Sequence, residues 1–224
     1  WRSFTAWLIA GGTLVSAAAA TAPFVHPGLL HTQASLARIK AMVVAGTEPW
    51  KSGFEKLRSD PQSAADWKLR GPREIVNRPG DGNDPMWTDC NAAYQNALMF
   101  CLTGDVTHAQ KAAEILRAWD AALKRIVGHD AQLAAGLYGF KFVSAAELLR
   151  ANYSGWTQAD TAQAKTMFRE AIYPTIQDFA TFANGNWDGA CLKAMMAIGV
   201  FCDDRAMFDR AVEYYLHGSG NGAI

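Results

Sequence analysis

Apolar residues recur three and four positions apart along nearly the whole chain after residue 31, the period of amphipathic helices. Thr32 is placed to cap a helix carrying Leu36, Ile39 and Val43 and ended by Gly46. Thr47 is expected to cap a second, with Pro49 in its first turn and Trp50, Phe54 and Leu57 along one side. The period then breaks over residues 71–88, GPREIVNRPGDGNDPMWT, which read as a long glycine- and proline-rich loop. From Asp89 the pattern predicts three helical hairpins. Residues 89–102 and 105–126 turn at Thr103-Gly104-Asp105, and Ala112, Ile115, Leu116, Trp119, Leu123 and Ile126 line the second helix. Residues 131–152 and 158–182 are joined by YSGWT, with Thr157 a cap and Pro174 a kink. Residues 187–202 and 205–217 meet at Asp203-Asp204, with Phe208, Ala211, Val212 and Tyr215 lining the last helix. No stretch sustains a β alternation, so the predicted fold class is all-α, built from antiparallel helical hairpins.

Helices joined by short connections reverse direction at each one. The turns at 103–105, 153–157 and 203–204 are therefore predicted at one end, and 71–88, 127–130, 183–186 and 217–224 at the other. That second end collects Asn77, Arg78, Asn83, Trp87, His129, Asp130, Asn184, Asn186 and His217, with Trp187 just inside its helix. Economical turns occupy one face and residues suited to holding a polar ligand occupy the opposite one.

Composition narrows what that ligand can be. Of the 224 residues 50% are hydrophobic, enough for a sizeable core, and 21 basic residues balance 21 acidic ones. No basic field or nucleic-acid module points to a nucleic-acid partner. Residues 1–22 have the pattern of a secretory signal, with Arg2, an apolar stretch from Ala6 and small residues before Pro23. That stretch is too short and too rich in glycine and alanine for a membrane span, so the expected organisation is a leader over 1–22 and one domain over 23–224, periplasmic or secreted. A buried N-terminal helix is the alternative. Cys90 and Cys101, like Cys191 and Cys202, are eleven residues apart, about 16 Å along a helix, which is beyond disulfide reach and unlike zinc spacing. Asp81-Gly82-Asn83-Asp84 lacks the spacing of a calcium loop, and GSGNGA follows a helix rather than a strand, so neither a metal nor a cofactor is predicted.

The residues by themselves leave two uses open for FANGNWDGACLKAMMAIGVF (182–201). Asn186 can cap its helix, or it can aim an amide donor at an anion beside the free N–H groups of the helix start. Trp187 can stack on a sugar ring or fill the core. His129 and His217 sit at helix ends, where a dipole role competes with substrate contact. Tyr138 and Tyr214 fit packing as well as binding, and Arg73 and Arg78 could pair with carboxylates or remain solvated.

Several segments in order, FVHPGLLHTQASLARIKAMV, AAYQNALMFCLTGDVTHAQKAAEILRAW, YGFKFVSAAELLR and NGNWDGACLKAMMAIGVFCDD, resemble the alginate lyase superfamily of polysaccharide lyases over residues 24–224. The nearest likeness is to the family 38 type, which acts on glucuronan or alginate. The resemblance implies an (α/α) toroid, an exported enzyme, an anionic polysaccharide substrate and a β-elimination. It also favours the binding reading of the rim: Asn186 neutralising the substrate carboxylate, with Asn184, Trp187, Arg78, His129, Tyr138 and His217 contacting substrate. Family 5 alginate lyases carry Asn-Asn-His where this chain has Asn184-Gly185-Asn186, so that chemistry is not expected to transfer unchanged. The family's toroid continues past the position of Ile224. The expectation is therefore an N-terminal part, incomplete at the C-terminus and inactive alone, with the acid and base further on. Two other classes fit a helical aromatic rim: a glycoside hydrolase, for which Asp130 and Asp188 are the available carboxylates, and a non-catalytic glycan-binding protein.

Overall fold

The computed structural model describes residues 22–183 and 185–219, so Asn184 and all of the expected leader but Ala22 lie outside the described residues. Within them the chain is predominantly helical. Helices α1 (Gln33–Val44) and α2 (Trp50–Ser59) form a first pair, followed by a short strand β1 (Ile75–Asn77). Next come α3 (Asn83–Thr103), α4 (Val106–Ala122) and a second strand β2 (Arg125–Val127). The remaining elements are α5 (Ala131–Ala134), α6 (Phe140–Asn152), α7 (Gln158–Met167), α8 (Tyr173–Ile176), α9 (Asn186–Phe201) and α10 (Arg205–His217).

The predicted caps at Thr32 and Thr157 form: each side chain accepts from the backbone three residues on, and each is completed as a capping box. Thr47 does not cap. Pro49 stands at the N-cap of α2, and Thr47 accepts from the Lys51 N–H through its carbonyl instead.

Two expectations fail together around residues 71–88. The loop is shorter than predicted because α3 already begins at Asn83, entered through Gly82 at φ +78, with Asp84 and Pro85 in its first turn. Proline is tolerated there because those N–H groups have no intrahelical partner. The upstream part of the loop is a strand. β1 pairs in parallel with β2, Val76 opposite Ile126, and both of these residues are buried. α4 therefore stops at Ala122 rather than running to 126, and Lys124 donates its N–H to the Glu74 carbonyl. Three-residue strands are too short to show an alternation.

The helix predicted over 158–182 is also interrupted. A π-helical segment, Phe168–Ile172, precedes Pro174, and α8 ends at Ile176. Pro174 cannot donate to the carbonyl of Glu170, and the widened turn accommodates that loss. A matching π segment, Ala135–Gly139, joins α5 to α6. The two meet at Gly139, where a Cβ would lie 2.7 Å from Ile172.

Consecutive long helices are antiparallel, as Trp119 meeting Asp89 and Tyr214 meeting Asp188 require. The first helices of the three hairpins run parallel to one another. Tyr138 lies against Asn83 and Tyr153 against Phe100 along α3 and α6. Gly136 abuts Ala190, and Arg150 reaches the Phe201 carbonyl, along α6 and α9. Trp119, Phe142, Phe168 and Phe201 are fully buried in the core between this layer and the return helices, each contributing roughly 1.5–3 kcal/mol by burial. The starts of α3, α5 and α9 consequently share one end of the molecule. The turn end is tied by charge: Asp203 meets Arg150 and Lys165, and Asp204 meets Arg169. An N-terminal arm crosses near that end. His31 bonds Tyr94 on α3, His26 bonds Glu147 on α6, and Phe24 packs on Phe208 of α10.

Candidate active site at the rim

The rim is positioned from below by two buried carboxylates. Asp89 accepts from the indole N–H groups of Trp67 and Trp119 and from the backbone of Arg70 and Gly71, fixing the segment that leads into β1. Asp188 accepts from the Ala180 N–H and the Tyr214 hydroxyl, fixing the segment that leads into α9. The strand pair joins the two sides, since Arg78 donates its N–H to Val127 and accepts from Asp130.

On this frame the side chains form a contiguous arc. Trp87, 40% exposed, lies 5.4 Å from the Tyr138 ring. The Tyr138 hydroxyl donates to Asn83 Oδ1 at 2.9 Å, and Asn83 in turn donates to Asp84. The Arg78 guanidinium covers the Tyr138 ring at 5.4 Å and stands 3.8 Å from Asp130. Its Nη1 is buried and has no hydrogen-bond partner among the described residues. Asp130 also holds His129, whose ring meets Trp187 edge-on at 6.1 Å, and Phe182 meets Trp187 from another side. Burial raises the Tyr138 pKa against the opposing pull of Arg78, so the phenol stays protonated at neutral pH.

Of the sequence-predicted site residues, the structure brings together Arg78, His129, Tyr138 and Trp187. Tyr138 is only 3% exposed and acts on the rim through Asn83, Arg78 and Trp87. Asn186 is not the cap of α9. Gly185, at φ +58, holds that position, and Asn186 is the first helical residue, exposed and without a side-chain hydrogen bond among the described residues. Its amide is thus uncommitted beside a helix N-terminus, whose partial positive charge favours an anion. His217 ends α10 on the same side, exposed, with no ring or hydrogen-bond contact to the arc among the described residues. Tyr214 stacks on Phe179 at 3.6 Å, a packing role. An apolar cavity of about 330 Å³ between α1, α2 and α3 is lined by Trp50, Phe54 and Leu98 and shares no residue with the arc.

A sequence model described as alginate lyase matches residues 62–224. The match covers the whole arc and all three hairpins. The chain belongs to the alginate lyase family. That membership supports polysaccharide lyase activity in general and an anionic polysaccharide as substrate. The arm and the α1–α2 pair precede the matched span. No curated protein matches the chain.

Sequence reasoning missed the residues below the rim. Lys141 on α6 donates to Asn91 on α3 and sits 4.0 Å over the Trp87 ring, while Lys193 on α9 sits 4.8 Å over Phe140. A signal existed: Trp87, Asn91, Tyr94 and Leu98 recur at helical spacing on the face of α3 opposite Asp89. Asn186 and Lys193, seven residues apart, likewise share one stripe of α9.

Proposed function

We propose that the protein cleaves a uronic-acid polymer, glucuronan or alginate, by β-elimination, on an (α/α) toroid of the family 38 type. In that reaction a base removes the proton at C5, the electron pair forms the C4–C5 double bond, and the C4–O bond breaks with protonation of the departing oxygen. The sugar's own carboxylate opposes charge build-up at C5, so donors aimed at that carboxylate lower the barrier. The observation that carries the reading is the uncommitted Asn186 amide at the start of α9, in a rim with the exposed Trp87, the half-buried Trp187 and the partly unpaired Arg78. Tyr138 is assigned to positioning, because a phenol held protonated and donating to Asn83 is a poor base. The reading includes export to the periplasm or medium, where such polymers are met.

The hydrolase alternative needs two opposed carboxylic acids. Asp188 is fully buried under Ala180 and Tyr214, and Asp130 is engaged by Arg78 and His129, which counts against that pair. Incubation of the intact enzyme with glucuronan, alginate and a neutral glucan separates the classes. Unsaturated uronate ends from either polyuronate are expected. Reducing ends without unsaturation would mean hydrolysis, and binding without cleavage would mean a glycan-binding protein.

A further inference from the structure

Beneath the arc, the face of α3, α6 and α9 that is turned away from their return helices carries two lysines in an unusual setting. Lys141 and Lys193 project from neighbouring parallel helices. Their ammonium groups lie over the rings of Trp87 and Phe140, Lys141 half-buried and Lys193 exposed. Neither forms an ion pair among the described residues, whereas Arg73 and Arg78 nearby each have a carboxylate. The surroundings act in the same direction on both. Burial lowers the Lys141 pKa, and burial together with the charge of Lys141 lowers that of Lys193. The two cations repel each other with no carboxylate paired to either among the described residues, and a ligand anion would offset that repulsion. Asn91 adds a donor, since its carbonyl oxygen is taken by Lys141 and its amino group makes no hydrogen bond among the described residues.

We propose that Lys141, Lys193 and Asn91 form a second carboxylate subsite, which takes the acidic group of a sugar residue adjoining the one held at Asn186. Lys193 lies two helical turns from Asn186 on the same stripe of α9, about 10 Å along the axis, so one extended chain can meet both. Trp87 and Phe140 supply apolar ring faces beside the cations, the surface a pyranose stacks on. The ligand class is a carboxylated, not a neutral, oligosaccharide. The inference rests on the reading of the rim as a polyuronate site.

The test is calorimetric binding of a glucuronate tetrasaccharide and of its carboxyl-reduced, neutral counterpart to the protein and to Lys141→Met, Lys193→Met and Lys193→Arg. Each methionine variant is expected to bind the uronate about tenfold more weakly, the loss of one charge-assisted hydrogen bond. Binding of the neutral sugar should stay unchanged, and Lys193→Arg should retain most of the affinity. The melting temperatures of the methionine variants should hold or rise, because the repulsion is relieved. If the parent binds the uronate and both methionine variants bind it equally well, the subsite is overturned and the rim reading survives. The subsite is equally overturned if either variant loses affinity only in step with a fallen melting temperature. If the parent prefers the neutral sugar, the rim reading fails and the subsite fails with it.

Discussion

Asn186 shows how a single residue's role changes once its neighbours are placed. By type it is a good helix cap, yet Gly185 occupies the cap and leaves the asparagine amide unused at the first helical position. A cap substitution typically costs ~1 kcal/mol, but that cost should not appear here. We predict that Asn186→Ala lowers turnover of the intact enzyme about 10²–10³-fold, the usual loss for one donor to a developing oxyanion. Its unfolding midpoint in urea should stay that of the parent. An equal turnover with a lowered midpoint would make Asn186 structural. Residue type could nominate Asn186, Trp187, Arg78 and His129 because each is polar or aromatic in or beside a connection at the predicted rim. It could not nominate Lys141 or Lys193, which stand inside helices where lysine ordinarily marks a solvated face. What distinguishes them is that each lies over an aromatic ring with no carboxylate paired to it among the described residues, and that depends on which helix lies alongside.

At the scale of elements, α3, α4, α6, α9 and α10 were legible because each repeats its apolar stripe over three or more turns, whereas the helix expected over 158–182 is broken at Phe168–Ile172. The strand pair was not, although it sets the arc. β1 and β2 are three residues each and are defined by each other rather than by local pattern. The start of α3 was hidden for a related reason, since Gly82, Asp84 and Pro85 are loop formers that also suit a first helical turn. Gly128 is where the strand pair hands over to the rim. It has φ +102, and a Cβ there would lie 2.2 Å from Asn77 Oδ1 and 2.3 Å from the Arg78 carbonyl. Gly128→Ala should therefore destabilise the fold by roughly 2–3 kcal/mol through backbone strain. It should also weaken uronate binding, because Arg78 and His129 lie on either side of the contact. Chemical denaturation and calorimetry on the one variant check both effects. Unchanged affinity would mean that the register of the arc does not depend on the strand pair.

Across the whole molecule the two ends divide their charges differently, and the interior adds a third term that sets the response to pH. At the turn end Asp160, bonded by Arg117 and Thr157, and Asp203, bonded by Lys165, His26 and Arg150 against the cost of burial, have pKa values well below the usual carboxylate range. Such groups stabilise the fold above the unfolded carboxylate pKa, and their contribution is lost as pH falls through the folded one. His31 is lowered by burial, so the native state takes up its proton later than the unfolded chain does, and acidification below the ordinary histidine range is unfavourable. Asp120 acts in the opposite sense. It is 7% exposed between α4 and α7, both its oxygens lack a hydrogen bond among the described residues, and burial with the charge of Asp160 raises its pKa to about 8. Its stabilising proton is present at low pH and is given up as pH rises through that value, whereas the unfolded chain has lost it far below. Between pH ~7.5, one unit above the ordinary histidine value, and pH ~8 the other three groups have stopped changing, so Asp120 alone should slope the curve downward, by at most ~1.4 kcal/mol per pH unit. Asp120→Asn keeps the shape without the titration. Its stability should be level over that window and exceed that of the parent at pH 8. Urea melts of both proteins at three pH values between those limits decide the matter, and parallel curves would mean that Asp120 is ionised in the native state throughout.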